Sequence, residues 1–207
     1  MKKNNIKPGI NLADYDTVLF DLDGTLITGS QPDKGTIMSH IYKPLKTLVL
    51  AQFKNEHIKN LQKRIVKSSF DKKKFVNDAE PLMNELFFEE DAHDYHTALV
   101  TNTPAHLMDI HERNFDFSFF FDEIITGDMV KNQKPDPAGY NLAMEKLFAD
   151  KRYTIGFEDS PEGLLALKNA GVKTRVHVKN PTYAAQHADM SALATHTISS
   201  FHEVYSK

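Results

Sequence analysis

Close to its start the chain carries the stretch Val18-Leu19-Phe20-Asp21-Leu22-Asp23-Gly24-Thr25-Leu26. An apolar run ends here in two carboxylates, a glycine and a hydroxyl, which predicts a short buried strand followed by a turn. In open α/β folds the carboxyl ends of the strands form the ligand-binding edge of the sheet. Because Gly24 allows the backbone to turn away sharply, Asp21 and Asp23 are expected to face one pocket.

Three later stretches have a similar character. An Asp-x-Asp pair alone is weak evidence for chemistry, because turns after strands often use aspartate for local hydrogen bonds. The further stretches are Ala98-Leu99-Val100-Thr101-Asn102-Thr103, Lys134-Pro135-Asp136-Pro137 and Tyr153-Thr154-Ile155-Gly156-Phe157-Glu158-Asp159-Ser160. Two of them are predicted strands with polar ends and the third is a stiff loop that opens a helix. Four such motifs in this order are far more specific than any one.

The rest of the core alternates between predicted strands and helices. This pattern indicates an α/β fold, a Rossmann-like parallel sheet with helices on both faces. Helices are expected to begin where Thr103, Asp136 and Ser160 each precede a proline, and Gly171 is expected to end one. The predicted strands cover residues 17–20, 97–100, 123–126, 153–157, 174–178 and, as a possible sixth, 197–199.

Between the first two motifs the pattern changes to apolar residues at helical spacing. We therefore predict a small all-helical insertion at residues 30–78, which divides the core domain into residues 12–29 and 79–207. The insertion carries 11 lysines and arginines against four acids, a net charge of +7. Its lysines either attract an anionic substrate or form a solvated helix face, and the sequence leaves both interpretations open.

Together the four motifs resemble the signature motifs of the haloacid dehalogenase superfamily. The resemblance is to the branch of phosphatases and β-phosphoglucomutase-like enzymes with a small helical cap, and it spans residues 16 to 178 apart from the insertion. The commonest members of the superfamily are magnesium-dependent phosphatases. The resemblance implies a Rossmann-like core and places the cap at residues 30–78.

By this resemblance the first motif carries the reacting groups. Asp21 would be the nucleophile and a ligand of Mg²⁺, forming an aspartyl-phosphate intermediate. Asp23 would protonate the leaving alcohol and then activate water, while its main-chain carbonyl also binds the metal. Several carboxylates in one pocket repel one another without a cation, and their hard oxygen atoms favour Mg²⁺ as the cofactor.

The other motifs would complete the site. Thr101 and Asn102 are expected to bind the transferring phosphoryl group, and Lys134 to supply a fixed positive charge. Glu158 and Asp159 are expected to bind the metal. Neighbouring side chains of a regular strand point in opposite directions, so the turn that follows must bring both acids round, or one of them acts through water. Asp159 is the preferred direct ligand.

Composition limits the other classes of function. A chain of 207 residues with 41% hydrophobic residues suits one core domain with a modest insertion. The absence of cysteine excludes disulfides and thiolate metal sites and favours the reducing cytoplasm. The net charge of −3 argues against general nucleic-acid binding, and no apolar run is long enough to cross a membrane. The oligomeric state is left open.

Three functions follow from these observations. The first is a magnesium-dependent phosphatase acting on a small phosphorylated metabolite, a sugar phosphate or a nucleotide. The second is a β-phosphoglucomutase-like phosphotransferase, because the ending Phe157-Glu158-Asp159-Ser160 also resembles that branch. The third, of another class, is a non-catalytic phospholigand-binding or regulatory protein. Such degenerate members normally lack a nucleophile, an acid or a metal ligand, and none of these is missing here.

Overall fold

The computed structural model describes residues 9–27, 79–88, 95–112 and 117–205. The predicted insertion at 30–78, with its basic residues, lies outside these ranges. Within them, six parallel strands form the main sheet, namely β2 (Thr17–Phe20), β3 (His96–Val100), β4 (Glu123–Ile125), β5 (Thr154–Glu158), β6 (Thr174–Val178) and β7 (His196–Ile198). Their order in the sheet is β4-β3-β2-β5-β6-β7. A second, two-stranded parallel sheet pairs β1 (Ile10–Asn11) with β8 (Val204–Tyr205).

The strand order decides where a ligand can bind. From β2 the chain adds β3 and β4 on one side, then crosses over to place β5 directly against β2 on the other side. Such a reversal creates a crevice at the carboxyl ends of the two central strands, where open α/β sheets bind their ligands. The first motif follows β2 and the last follows β5, so both motifs meet at this crevice.

Helices cover both faces of the sheet, which confirms the predicted fold class. They are α1 (Ala79–Phe88), α2 (Ala105–Glu112), α3 (Phe117–Phe120), α4 (Ala138–Lys146), α5 (Pro161–Ala170) and α6 (His187–Met190). One core cluster joins Val18 and Phe20 of β2 to buried residues of α1, and the other joins Leu19 of β2 to α4 and α5. All six predicted strands are present, with ends within one residue of the prediction. Within the described ranges, every helix is too short or too polar to cross a bilayer.

The predicted helix ends are mostly confirmed. Ser160 caps α5 by accepting a hydrogen bond from the Gly163 N–H, and Gly171 ends the helix with a φ of 83°. The Asp136 carboxylate accepts from the Ala138 N–H at 2.9 Å, although the helix begins one residue later than predicted. The prediction that Thr103 caps α2 is wrong. The N–H of Ala105 donates instead to the carboxylate of Asp128, at 2.9 Å.

Phe148 follows α4 in a conformation that normally belongs to glycine. Its φ is 52°, its N–H donates to the Glu145 carbonyl, and its side chain is 96% exposed. The next N–H, of Ala149, donates to the Met144 carbonyl, which completes the usual glycine-type ending of a helix. The ring therefore contributes little burial while the backbone is strained.

We expect Phe148→Gly to raise the free energy of unfolding by about 1 kcal/mol, because glycine adopts a positive φ without the steric cost of a Cβ atom. Phe148→Ala is the matched control, since it removes the ring and keeps the strain. Denaturant unfolding of the three proteins measures the effect. Equal stability of the glycine and alanine variants would show that the backbone at this position is not strained.

Candidate active site

The turn after β2 brings the first and last motifs into contact. Asp21 is buried, at 8% exposure, directly after the strand. Gly24 has a φ of 91°, and a Cβ atom at this position would collide with the carboxylate of Asp159 and the amide of Asn180. Glycine is therefore required here for two reasons, the backbone conformation and the close approach of Asp159.

Lys134 lies at the centre of the site with its side chain only 6% exposed. Its ammonium group donates to Asp21 Oδ1 at 2.7 Å, to Glu158 Oε1 at 2.6 Å and to the main-chain carbonyl of Val100 at 2.8 Å. These three acceptors match the three protons of an ammonium group. Lys134 therefore fixes one oxygen of Asp21 and supplies a permanent positive charge beside it.

Asn102 holds the main chain of Lys134. Its Oδ1 atom accepts from the Lys134 N–H at 3.1 Å, and its amide nitrogen lies 3.5 Å from the Lys134 carbonyl oxygen. Gln133 binds the Asn102 carbonyl in turn, at 3.3 Å. The sequence predicted that Asn102 helps to bind a phosphoryl group. Its contacts in the structure indicate that it also positions Lys134.

Glu158 is fully buried and accepts hydrogen bonds from three side chains. Lys134 and the Tyr140 hydroxyl, the latter at 2.5 Å, donate to Oε1, and the Ser160 hydroxyl donates to Oε2 at 3.1 Å. A Cβ atom on Gly163 would collide with the same carboxylate. Glu158 is thus held rigidly by its surroundings, as a buried anion must be.

Asp159 points to a different set of neighbours, as the alternation of side chains requires. Its Oδ2 atom accepts from the Asn180 amide at 2.6 Å, and its Oδ1 atom accepts from the Thr25 hydroxyl at 3.4 Å. Asn180 also lies 3.5 Å from the Gly24 carbonyl oxygen. The turn after β2 and the loop after β6 therefore position this acid jointly.

Three buried acids form a cluster that suits a metal ion. Ligand oxygen atoms of Asp21, Glu158 and Asp159 all lie within 4.8 Å of one another. When all three are ionised, Lys134 neutralises only one of the three negative charges. A hard divalent cation such as Mg²⁺ matches both the remaining charge and the oxygen ligands, so the donor set fits the predicted cofactor.

The pKa values of these groups reflect the crowding of negative charge. Burial raises the pKa of Asp21 to about 8, with a further contribution from Glu158, while Lys134 opposes the shift. Burial and the charge of Glu158 likewise raise the pKa of Asp159 to about 6, against the hydrogen bond from Asn180. A cation in the cluster would favour the ionised form of both acids.

The two titratable donors to Glu158, Lys134 and Tyr140, keep their protons. Burial alone would lower the pKa of Lys134, but the charges of Asp21 and Glu158 outweigh it, and the pKa lies above its ordinary value. Burial, followed by the charge of Glu158, raises the pKa of Tyr140 well above its ordinary value. Both groups therefore act as hydrogen-bond donors at neutral pH.

Asp23 and Thr101 are connected through Thr103. The Thr103 hydroxyl donates to Asp23 Oδ2 at 3.0 Å, and the Thr103 N–H donates to Thr101 Oγ1 at 3.0 Å. Thr101 is buried, whereas Asp23 is half-buried. The hydrogen bonds thus join Asp21, Lys134 and Glu158 in one network, with Asp159 close beside it, and place Asp23 in a second network that is linked to the strand end of β3.

The sequence analysis missed three residues of the site, namely Tyr140, Asn180 and Thr103. Asn180 follows β6 by two residues, so it satisfies the same criterion of a polar residue at a strand end that identified three of the four motifs. Tyr140 lies in α4, where an aromatic residue is normally assigned to the core. Thr103 was noticed only as a helix cap.

The chain was compared with known proteins. A sequence profile described as haloacid dehalogenase-like hydrolase matches residues 18–177. A phosphorylated carbohydrates phosphatase from Thermotoga maritima is 41% identical over 76 residues, 37% of this chain and 35% of the relative. Pyrophosphatase PpaX from Bacillus cereus is 27% identical over 178 residues, which cover 76% of this chain and 81% of the relative. The matches to the first three curated relatives span only about a quarter to a third of those proteins.

Solved structures show the same fold. A putative β-phosphoglucomutase from Thermotoga maritima superposes with a TM-score of 0.59 at 24% identity, covering 88% of this chain and 94% of that chain. CbbY from Rhodobacter sphaeroides, in complex with phosphate, superposes with a TM-score of 0.60 at 21% identity, covering 90% and 95%. At these identities the structural similarity concerns the fold alone.

Proposed function

The chain belongs to the haloacid dehalogenase-like hydrolase family, and from this membership we propose that it hydrolyses phosphate monoesters of small metabolites. The observation that carries the proposal is the ion-paired nucleophile, Asp21, which Lys134 holds at 2.7 Å inside a buried acid cluster. A second acid, Asp23, lies two residues away. Enzymatic hydrolysis of a phosphate ester of an ordinary alcohol is accelerated by a nucleophile and by an acid that protonates the leaving group.

The proposed reaction has two steps. In the first, an oxygen of Asp21 forms a bond to phosphorus as the bond to the ester oxygen breaks, and Asp23 gives its proton to the leaving alcohol. In the second, Asp23 takes a proton from water, whose oxygen attacks phosphorus as the bond to Asp21 breaks. Inorganic phosphate leaves, and both acids return to their starting states.

Other residues support this chemistry without changing their bonds. Lys134 favours the ionised form of Asp21 and orients it, and Glu158 and Asn102 keep Lys134 in place. Thr101, at the end of β3, is proposed to donate its hydroxyl to the phosphoryl group. Mg²⁺ would be held by Asp21, Asp159, Glu158 and the Asp23 carbonyl, and when bound it would reduce the repulsion between the acids and the anionic phosphoryl group.

The proposed substrates are small phosphorylated compounds. The relatives bear the names of phosphatases of phosphorylated carbohydrates, phosphoglycolate and pyrophosphate, and this range supports the class without choosing a member. The predicted insertion at residues 30–78 is proposed to select the substrate. The core domain, residues 12–29 and 79–207, would then carry the chemistry.

Release of inorganic phosphate from a panel of compounds tests the proposal. The panel contains p-nitrophenyl phosphate, hexose phosphates, phosphoglycolate, pyrophosphate and nucleoside monophosphates, each with Mg²⁺. We expect turnover of p-nitrophenyl phosphate and faster turnover of at least one metabolite. A hexose phosphate that isomerises without releasing phosphate would favour the mutase. Binding of phosphate without turnover of any compound would favour a non-catalytic protein.

A further inference from the structure

The helix that follows the second motif is capped from another loop. The sequence Thr103-Pro104-Ala105 is a typical helix start, in which the threonine hydroxyl accepts a main-chain N–H of the first turn. In this chain Asp128 Oδ1 accepts the Ala105 N–H at 2.9 Å, and the Thr126 hydroxyl donates to the same oxygen at 2.6 Å. The hydrogen bonds from Thr126 and from the main chain lower the pKa of Asp128, so it remains an anion at the start of α2.

Because Asp128 accepts the Ala105 N–H, capping of α2 does not fix the orientation of the Thr103 hydroxyl, which can turn toward a different partner. Its single proton is donated to Asp23 Oδ2 at 3.0 Å, across 80 residues of sequence. The main chain of Thr103 is fixed as well, because its N–H donates to Thr101 Oγ1. A branched side chain has few rotamers, so a fixed main chain also limits the position of the hydroxyl.

We propose that Thr103 is a positioning residue that orients the Asp23 carboxylate, and that Asp128 frees the Thr103 hydroxyl for this role by capping α2 in its place. The inference rests on the proposed function, in which Asp23 protonates the leaving group. A hydroxyl that donates to Oδ2 leaves Oδ1 as the oxygen that carries the proton. Holding the carboxylate in this way directs that oxygen toward the ester.

Two aryl phosphates of similar shape separate this role from a purely structural one. p-Nitrophenol leaves readily as its anion, whereas phenol leaves slowly unless it receives a proton. Loss of a well-oriented acid should therefore slow phenyl phosphate much more than p-nitrophenyl phosphate. General acid catalysis contributes about 10²- to 10⁴-fold to such reactions, and we expect a lost orienting contact to remove about 10-fold.

The test compares Thr103→Val, which keeps the shape and lacks the hydroxyl, with Thr103→Ser, which retains it. Thr103→Val should lower kcat/KM, which reports the step that expels the alcohol, about 10-fold more for phenyl phosphate than for p-nitrophenyl phosphate, and Thr103→Ser should restore the wild-type ratio of the two kcat/KM values. Equal losses with both substrates, or a serine variant that behaves like valine, would overturn the inference while leaving the proposed function intact. A wild-type protein that hydrolyses neither compound would overturn both.

A second set of variants probes the same contact without altering Thr103. Asp128→Ala removes the cap, and we expect the Thr103 hydroxyl to turn toward the free N–H groups of α2. Asp128→Ala should then show the same selective loss of activity toward phenyl phosphate as Thr103→Val. Asp128→Asn keeps an acceptor oxygen, so its selective loss should be smaller. In a Thr103→Val background, Asp128→Ala should add no further selective loss. A selective loss that appears in full in that background would show that Asp128 does not act through Thr103.

Discussion

Asp21→Asn should lower kcat by at least about 10³-fold, equivalent to about 4 kcal/mol of activation free energy, because it removes the attacking anion. The amide has nearly the same shape as the carboxylate. Lys134 would keep its bonds to Glu158 and to the Val100 carbonyl. The fold should therefore persist, which circular dichroism and thermal unfolding can establish.

The same variant should change how stability depends on pH in the absence of metal. The raised pKa of Asp21, about 8 against an ordinary 3.8, means that the folded state binds a proton that the unfolded state has lost between these values. This contribution is complete below about pH 4 and is lost as pH rises through about 8. Asparagine does not titrate, so metal-free Asp21→Asn should lose less stability over this range. The part of the stability loss that occurs between about pH 4 and pH 6 should remain in this variant, because the pKa of Asp159 is also raised, to about 6.

Two results would contradict the assignment of Asp21. Near-normal turnover of Asp21→Asn would show that another group attacks phosphorus. Trapping of a phosphorylated form of this variant, by acid quench during turnover, would do the same. Asp150→Asn is a suitable control, because Asp150 pairs with Arg152 on the surface at 2.7 Å and should leave kcat unchanged.

One local rule found most of the site from the sequence. A polar residue that follows a buried strand of a parallel sheet lies at the ligand-binding edge. This rule placed Asp21, Thr101 and Asp159 correctly at that edge. Applied to β6 it also identifies Asn180, which was overlooked because Lys179 separates it from the strand. The alternation of strands and helices indicated a parallel sheet, and the order of its strands became known only from the structure.

The contacts that the sequence did not predict depend on tertiary packing, which cannot be inferred from local sequence patterns. A threonine before a proline is a good cap by local criteria, yet Asp128 lies 23 residues from Ala105 and takes that position. The Tyr140 hydroxyl reaches Glu158 because α4 packs against β3, β4 and α5 on one face of the sheet. The aromatic residue therefore indicated the core correctly, but the sequence did not indicate the hydrogen bond of its hydroxyl. In both cases the hydrogen bond depends on a partner that is distant in the sequence.

Removal of divalent metal should reduce turnover by a factor on the order of 10³ or more, and Mg²⁺ should restore it. Among the residues that the structure describes, Lys134 is the cation paired with the buried cluster of Asp21, Glu158 and Asp159, and it balances one of the three negative charges. Without a divalent cation, an anionic phosphoryl group would therefore enter a pocket of like charge. Asp159→Asn removes one of the three acids without disturbing Lys134. We expect it to raise the half-saturating Mg²⁺ concentration about 10-fold or more, whereas the surface variant Asp150→Asn should not.

A measurement of stability tests the metal site independently of activity. Protons and Mg²⁺ compete for Asp21 and Asp159, whose pKa values are raised to about 8 and about 6. Mg²⁺ should therefore raise the Tm more at pH 8 than at pH 5, and the increase should shrink in Asp159→Asn. Full turnover in a chelator, or an increase in Tm that is the same at both pH values and in the variant, would remove these acids from the metal site. In that case the repulsion between the acids would have to be offset without a metal ion, and within the described residues Lys134 pairs with only two of the three acids, Asp21 and Glu158.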